Sequence, residues 1–254
     1  MKRTSLWSDW LPPAITLIAG AVLWQYAGSR TSAAFLSTFT ATMSRLWGMV
    51  ASGELVDALA QSLLLFVTGF ALAVAVAVPL GLLLARVTVL RIATESYIMM
   101  FNSMPMAALI PFILSIMGFG FAPKVVVVFL FSVFAVLYNT MEGARSVKPE
   151  LLEVARSYRS SEWRLWRDVM LPFTLPFTLT GIRQGIGRGL VGMVAAEFFL
   201  SASGIGKLIT VNERDFDTAG VLAAIIVITI FGTVLMSLGR AVENRFAAWR
   251  GLSR

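Results

Sequence analysis

Residues 58–85 form an apolar run longer than the about 20 residues a helix needs to cross the hydrocarbon core of a bilayer. Runs of similar character occupy 11–27, 96–117, 125–140, 173–200 and 218–238, separated by short polar or basic segments. In hydrocarbon a backbone must satisfy its own hydrogen bonds, and runs of this length do so as helices. Only 14% of residues are charged, where a soluble domain carries about 25%. The sequence therefore predicts an all-α polytopic membrane protein with about six transmembrane helices, in a single domain over 1–254 without an internal repeat.

There is no cysteine and no histidine. That excludes disulfides, thiolate and imidazole chemistry, and most transition-metal sites. The net charge of +7 is read through its distribution, not as a nucleic-acid signal. With the N-terminus inside, fourteen of the 21 Lys and Arg fall in cytoplasmic segments. Five lie outside, at Arg30, Arg45, Lys124, Lys207 and Arg214, and Arg183 and Arg188 lie within the fifth span. This bias orients the chain with both termini cytoplasmic. A cleaved signal peptide competes for the first run, but Trp24-Gln25-Tyr26 reads as an interfacial aromatic belt and favours a retained helix. Residues 30–57 place Phe35, Leu36, Phe39, Met43, Leu46, Trp47 and Val50 at helical spacing, predicting an amphipathic helix at the outer interface. Turns are expected at 86–95 and 118–124, a polar loop at 201–216 and a basic tail over 239–254.

The most charged stretch is 142–172, between the fourth and fifth spans. It reads as two short helices joined by a turn. Pro149 starts the first, with Glu150 and Glu153 facing its positive end. Ser160 or Ser161 caps the second, Trp163, Trp166 and Met170 share a side of it, and Leu171-Pro172 ends it. Physical chemistry alone leaves two readings open: a docking surface for another protein, or a basic loop lying on the membrane. Glu153-Val-Ala155-Arg156-Ser-Tyr158, followed by Val169-Met-Leu171-Pro172 and Pro176, resembles the "EAA" loop of permease subunits of binding-protein-dependent ABC importers. In that family the loop is the coupling helix, seated in a groove of a cytoplasmic ATPase. The resemblance marks Glu150, Glu153, Ala155, Arg156, Tyr158, Arg159 and Trp163 as ATPase-coupling residues. Arg159 stands where the family usually has glycine, and a left-handed turn at a non-glycine residue costs about 1–2 kcal/mol. Either the turn is shaped differently or Arg159 makes a contact of its own with the partner.

In the fifth span, Gly181, Gly185 and Gly189 are four apart and share a face suited to close helix packing. Arg183, Arg188 and Glu197 are expensive in hydrocarbon and must face protein, water or the interface. Arg188 and Glu197 are too far apart along one helix to pair, so their partners lie on other helices or on a second copy. Two readings stand: a helix lining a translocation pathway, or arginines making structural contacts near the cytoplasmic mouth. Gly181-Ile-Arg183 and Ala196-Glu197 match the same family's recurrent pattern. Met99, Met100, Met104, Met106 and Met117 crowd the third span, which suits ordinary packing as well as a pore lining. Its Pro105 and Pro111 resemble the family's segment near the pathway, so Ser103, Met104 and Met106 join Arg188 and Glu197 as pathway residues. Ser203-Gly204-Ile-Gly206 is a turn that in the family's context marks an outer loop.

The resemblance covers 62 to the end and points to permeases serving taurine, aliphatic sulfonates, nitrate and related small solutes. It implies the type I importer fold, a homodimer in the bacterial inner membrane surrounded by lipid, two cytoplasmic ATP-binding subunits, and a periplasmic or lipid-anchored binding protein. No phosphate-binding loop is present, so no cofactor is expected in this chain, ATP and Mg belong to the partner, and the chain itself is not an enzyme. The pathway arginines suit a small anion. The alternative is an ion-coupled secondary transporter or channel working without an ATPase, which would need buried acidic ion ligands beyond Glu197.

Overall fold

In the computed structural model, which describes residues 6–200 and 203–247, eleven helices follow one another without a strand among the described residues. They are α1 (Leu6–Arg30), α2 (Phe39–Ala51), α3 (Glu54–Arg86), α4 (Thr88–Ser103), α5 (Ile110–Met117), α6 (Phe121–Arg145), α7 (Pro149–Ser157), α8 (Glu162–Leu165), α9 (Leu171–Leu200), α10 (Gly204–Arg214) and α11 (Thr218–Ala247). The basic residues at 2–3 and the end of the tail, Arg250 and Arg254, lie outside the described residues.

The centre of the molecule is α6, packed along α3 on one side and α9 on the other. Close approach is possible because glycines meet side chains at the crossings. A Cβ on Gly69 of α3 would lie 2.6 Å from Val128 Cβ, and one on Gly189 of α9 would strike the Ser132 hydroxyl. The predicted glycine face of the fifth span therefore faces α6, opposite Asn139, Val136 and Ser132. Ser132 Oγ donates to the Gly185 carbonyl at 3.2 Å, adding a buried polar tie across the same contact.

By length and composition three described helices can cross a membrane, α3, α6 and α11, and counting two bent pairs as one span each raises this to five. Counted so, five of the six expected spans meet that test among the described residues. The first run is a continuous helix, but Pro12, Pro13, Trp24 and Gln25 dilute its apolar character and it is not among them. The expected third span is bent by 91° between Ser103 and Met106. Met104 precedes Pro105 and is driven to extended backbone (φ −70°, ψ 139°), which stops α4 and starts a short 3-10 turn over Met106–Leu109.

Several boundaries differ from expectation for identifiable reasons. The basic turn at 86–95 shrinks to the single extended residue Val87, and α4 begins at once. Thr38 caps α2 by accepting the Ala41 N–H, so the outer amphipathic helix starts at Phe39 and leaves Phe35 and Leu36 ahead of it. Lys124, expected at the end of the outer turn at 118–124, stands in the first turn of α6 and is 2% exposed. The polar loop at 201–216 is largely the helix α10, whose Ile205, Leu208 and Ile209 share a core with Met49, Leu55, Ala223 and Ala224.

Proline 172 does not end the second short helix. Lacking an N–H, it cannot donate to Asp168, and its ring would meet that carbonyl. The chain accommodates it in one π-turn over Trp166–Met170, with Leu171 N–H reaching back five residues to the Trp166 carbonyl, and runs on into α9.

Candidate functional site

At one end of the bundle, α7 and α8 form a two-sided pair. Pro149 occupies the first position of α7 with Glu150 in its first turn, while Glu153 lies a turn further on. Ser161 caps α8 by accepting the Arg164 N–H at 3.4 Å. The inner side of the pair, Leu152, Ala155, Leu165, Trp166 and Val169, shares a core with Ala144 and Val147 of the α6 end and Leu82 and Ala85 of α3. Arg86 reinforces this seat, 3.5 Å from Glu162 and over the Trp166 ring. The other side carries Leu151, Val154, Tyr158 and Trp163, the last two 83% and 73% exposed. Glu150, Glu153 and Arg159 are exposed with them; the side chain of Arg156 lies outside the described residues.

Arg159 has φ 53°, in the left-handed region. The Ser160 N–H bonds the Ala155 carbonyl at 3.1 Å, the six-residue closure of a Schellman-type helix end. The turn is thus the one glycine favours, made by arginine, and the alternative of a differently shaped turn falls away.

A second group of residues meets where α4 breaks. Arg188, midway along α9, donates through Nη1 to the Asn102 carbonyl at 3.0 Å and to Asn102 Oδ1 at 2.7 Å. The guanidinium thereby satisfies an orphan carbonyl at the negative end of α4. Around it lies a cavity of about 220 Å³ lined by Phe101, Met104, Met106, Phe131, Phe134 and Val191. Met104, Met106 and Arg188 converge here, and Ser103 is exposed at the adjoining break. Glu197 does not join them. Asn102 and the three phenylalanines escaped the sequence reading; the signal available was Asn102, a polar side chain in an apolar run. A larger, mostly apolar groove of about 410 Å³, at Val78, Leu82, Leu171 and Leu175, is lined also by Arg167, Thr174 and Thr178.

Glu197 instead lies at the opposite end of α9 from the α7–α8 pair, 1% exposed. Its Oε1 accepts from Ser62 Oγ of α3 at 2.7 Å, and its Oε2 from the Gly206 N–H of α10 at 2.9 Å. Gly204, at φ 82°, and Gly206 have no room for a Cβ, since each would strike Glu197. The Gly-x-Gly of the expected outer loop is therefore a docking device for the start of α10. Arg183, nearer the other end of α9, pairs with Glu243 of α11.

A family model described as a binding-protein-dependent transport system inner membrane component matches residues 77–248. The riboflavin transport system permease protein RibX of Chloroflexus aurantiacus is 31% identical over 238 residues, covering 92% of this chain and 88% of that one. The aliphatic sulfonates transport permease protein SsuC of Bacillus subtilis, itself a putative assignment, is 29% identical over 251 residues, covering 98% and 90%. Among solved structures, the methionine ABC transporter MetNI in an inward-facing conformation superimposes with a TM-score of 0.60 at 16% identity, covering 73% of this chain and 92% of that one, a likeness of fold.

Proposed function

The chain belongs to the family of binding-protein-dependent transport system inner membrane components and is the permease subunit of an ABC importer; from that premise we propose that it works as one half of a homodimer, driven by two ATP-binding subunits at its α7–α8 end. In this reading α7, α8 and both termini are cytoplasmic, and the end carrying α2 and α10 meets a binding protein outside. The chain performs no catalysis and holds no ATP; both belong to the partner.

The observation that carries the reading is the two-sidedness of the α7–α8 pair. Its inner side is anchored in the membrane helices, while Tyr158 and Trp163 stand almost free. Large aromatic side chains fully in water favour burial against a partner. Closure of the ATP-binding subunits would displace the pair. Because α8 passes through the π-turn into α9 without a break, the displacement reaches the helix that carries Arg188.

Arg188 supports the route of the solute. An exposed arginine midway along a span cannot be left facing hydrocarbon, so that side of α9 faces an aqueous path or the second copy. The cavity beside it has the size of a small organic molecule, and its single fixed cation suits a small anion of the sulfonate, taurine or nitrate kind.

Copurification of the tagged chain from its native membrane tests the reading. A nucleotide-binding protein is expected to come down with the wild type, and Glu153→Ala with Arg156→Ala to lose it or uncouple its ATPase activity. If no ATPase copurifies and transport persists in vesicles without ATP, the reading fails and an ion-coupled transporter takes its place.

A further inference from the structure

The N-terminal turn of α10 supplies no side-chain cap of its own, although Ser203 stands at the N-cap. The N–H groups at the start of a helix have no partner within it. Here three of them go to side chains of other helices: Gly204 to Gln61 Oε1 at 3.3 Å, Ile205 to Ser62 Oγ at 2.9 Å, and Gly206 to Glu197 Oε2 at 2.9 Å. Ser62 in turn donates a hydrogen bond from its hydroxyl to Glu197 Oε1 at 2.7 Å, so one carboxylate gathers α3 and α10 onto α9. Lys124 of α6, 2% exposed, donates to the Ser203 hydroxyl at 2.8 Å and brings in the fourth helix. Charges buried in a membrane protein are retained only with partners, and usually with a task. The cavity at Arg188 leaves this group unused.

The rest of α10 lies on its apolar face. Ile205, Leu208 and Ile209 are buried, with Asn212 donating to the Leu208 carbonyl at 2.6 Å, whereas Lys207 and Val211 face the opposite way along a polar recess with Glu54 and Asp57. The helix is a short amphipathic segment bent 46° from α9 and packed on α3, α9 and α11. Its start is tied to Gln61, Ser62 and Glu197, and its far end to α2 through Arg45, which donates to Asn212 Oδ1 at 3.3 Å.

We infer that Glu197 is the positioning residue of the outer closure: it seats α10 across the ends of α3, α6 and α9, and losing that seat opens the solute route outward without nucleotide. The transport consequence rests on the importer reading; the seat itself does not.

The chain has no cysteine, so a single introduced thiol reports on one position. Ile209→Cys, at a site 5% exposed under α10, is expected to react slowly with a membrane-impermeant maleimide added from the outer side of proteoliposomes holding the assembled complex. Adding Glu197→Ala should raise the labelling rate, and the ATP-independent leak of entrapped ethanesulfonate, by about tenfold or more, as for a lost buried charge-assisted hydrogen bond. Glu197→Gln keeps an acceptor and should restore most of the protection. Gly206→Ala should match Glu197→Ala while leaving the carboxylate in place, which separates the seat from the charge. Unchanged labelling in both Glu197→Ala and Gly206→Ala overturns the inference. Faster labelling without leak also overturns it, leaving α10 as a strut with no part in closure. If Glu197→Ala does not assemble, Gly206→Ala and Glu197→Gln decide by the same two readouts. If no ATP-binding subunit accompanies the chain, the importer reading fails on its own, and labelling of the chain in vesicles still decides the seat.

Discussion

Arg183 Nε lies 2.6 Å from Glu243 Oε2, joining α9 to α11, and Thr180 donates to the other oxygen of the same carboxylate at 2.8 Å. The two side chains are 28% and 20% exposed, so the pair is mostly withdrawn from water. Arg183→Ala leaves the carboxylate without its guanidinium and is expected to destabilise the protein by about 1–3 kcal/mol. Thermal unfolding in detergent checks this, and Arg183→Ala combined with Glu243→Ala should recover part of the loss.

Two glycine substitutions should have opposite signs. Gly181→Ala places a Cβ 2.8 Å from Asn139 Cβ and 3.2 Å from the Ala135 carbonyl, so α9 must move off α6, with a loss of about 1–3 kcal/mol. Gly48→Ala, inside α2 with nothing within 4 Å, should stabilise by about 0.5–1 kcal/mol. Unfolding midpoints of the two variants measured side by side would show the difference, and a loss at Gly48 would sink the packing account.

Arg159→Gly relieves a left-handed φ of 53° and should stabilise the isolated chain by about 1 kcal/mol. Arg159→Ala should bring no such gain, because the Cβ remains. Paired with the ATPase, the glycine variant separates backbone from side chain: reduced ATPase stimulation despite higher stability means that the guanidinium touches the partner.

Arg188→Ala should lower flux of an anionic solute by about tenfold, the scale of one charge-assisted hydrogen bond pair. Both bonds to Asn102 come from the single Nη1, so Arg188→Lys, which keeps one cationic nitrogen on a shorter side chain, should recover part of the flux. Unchanged anion flux in a folded Arg188→Ala protein removes Arg188 from the solute route.

The apolar runs made the long helices legible, since hydrocarbon length and backbone satisfaction leave one solution. The α7–α8 pair was legible too, from Pro149 and a cap at Ser160 or Ser161, whereas the shape of the turn at Arg159 stayed open until its φ was seen. The helix α10 was not: its three buried apolar residues stand among Gly, Lys, Thr and Asn, a composition that reads as loop until α3 and α9 are beside it. Lys124 and Glu197 were assigned to an outer turn and to the pathway because the linear pattern shows a charge but not what surrounds it. The cavity at Arg188 depends on a bend after Ser103, and Pro105 signalled an interruption without its angle.

The π-turn at Trp166–Met170 adds one residue to the helical ladder just ahead of α9. Each residue of an α-helix advances the azimuth by about 100°. The insertion therefore fixes the angular phase between the anchored side of α8, with Leu165 and Trp166, and the stripe of α9 that carries Gly181, Gly185 and Gly189. Because the wider turn absorbs its extra residue, a deletion there would largely preserve that phase. Deleting one residue from the regular helix between Leu171 and Gly181 would instead rotate the glycine stripe against the seat of α8 by that angle, so that the loop and the bundle could no longer both be seated.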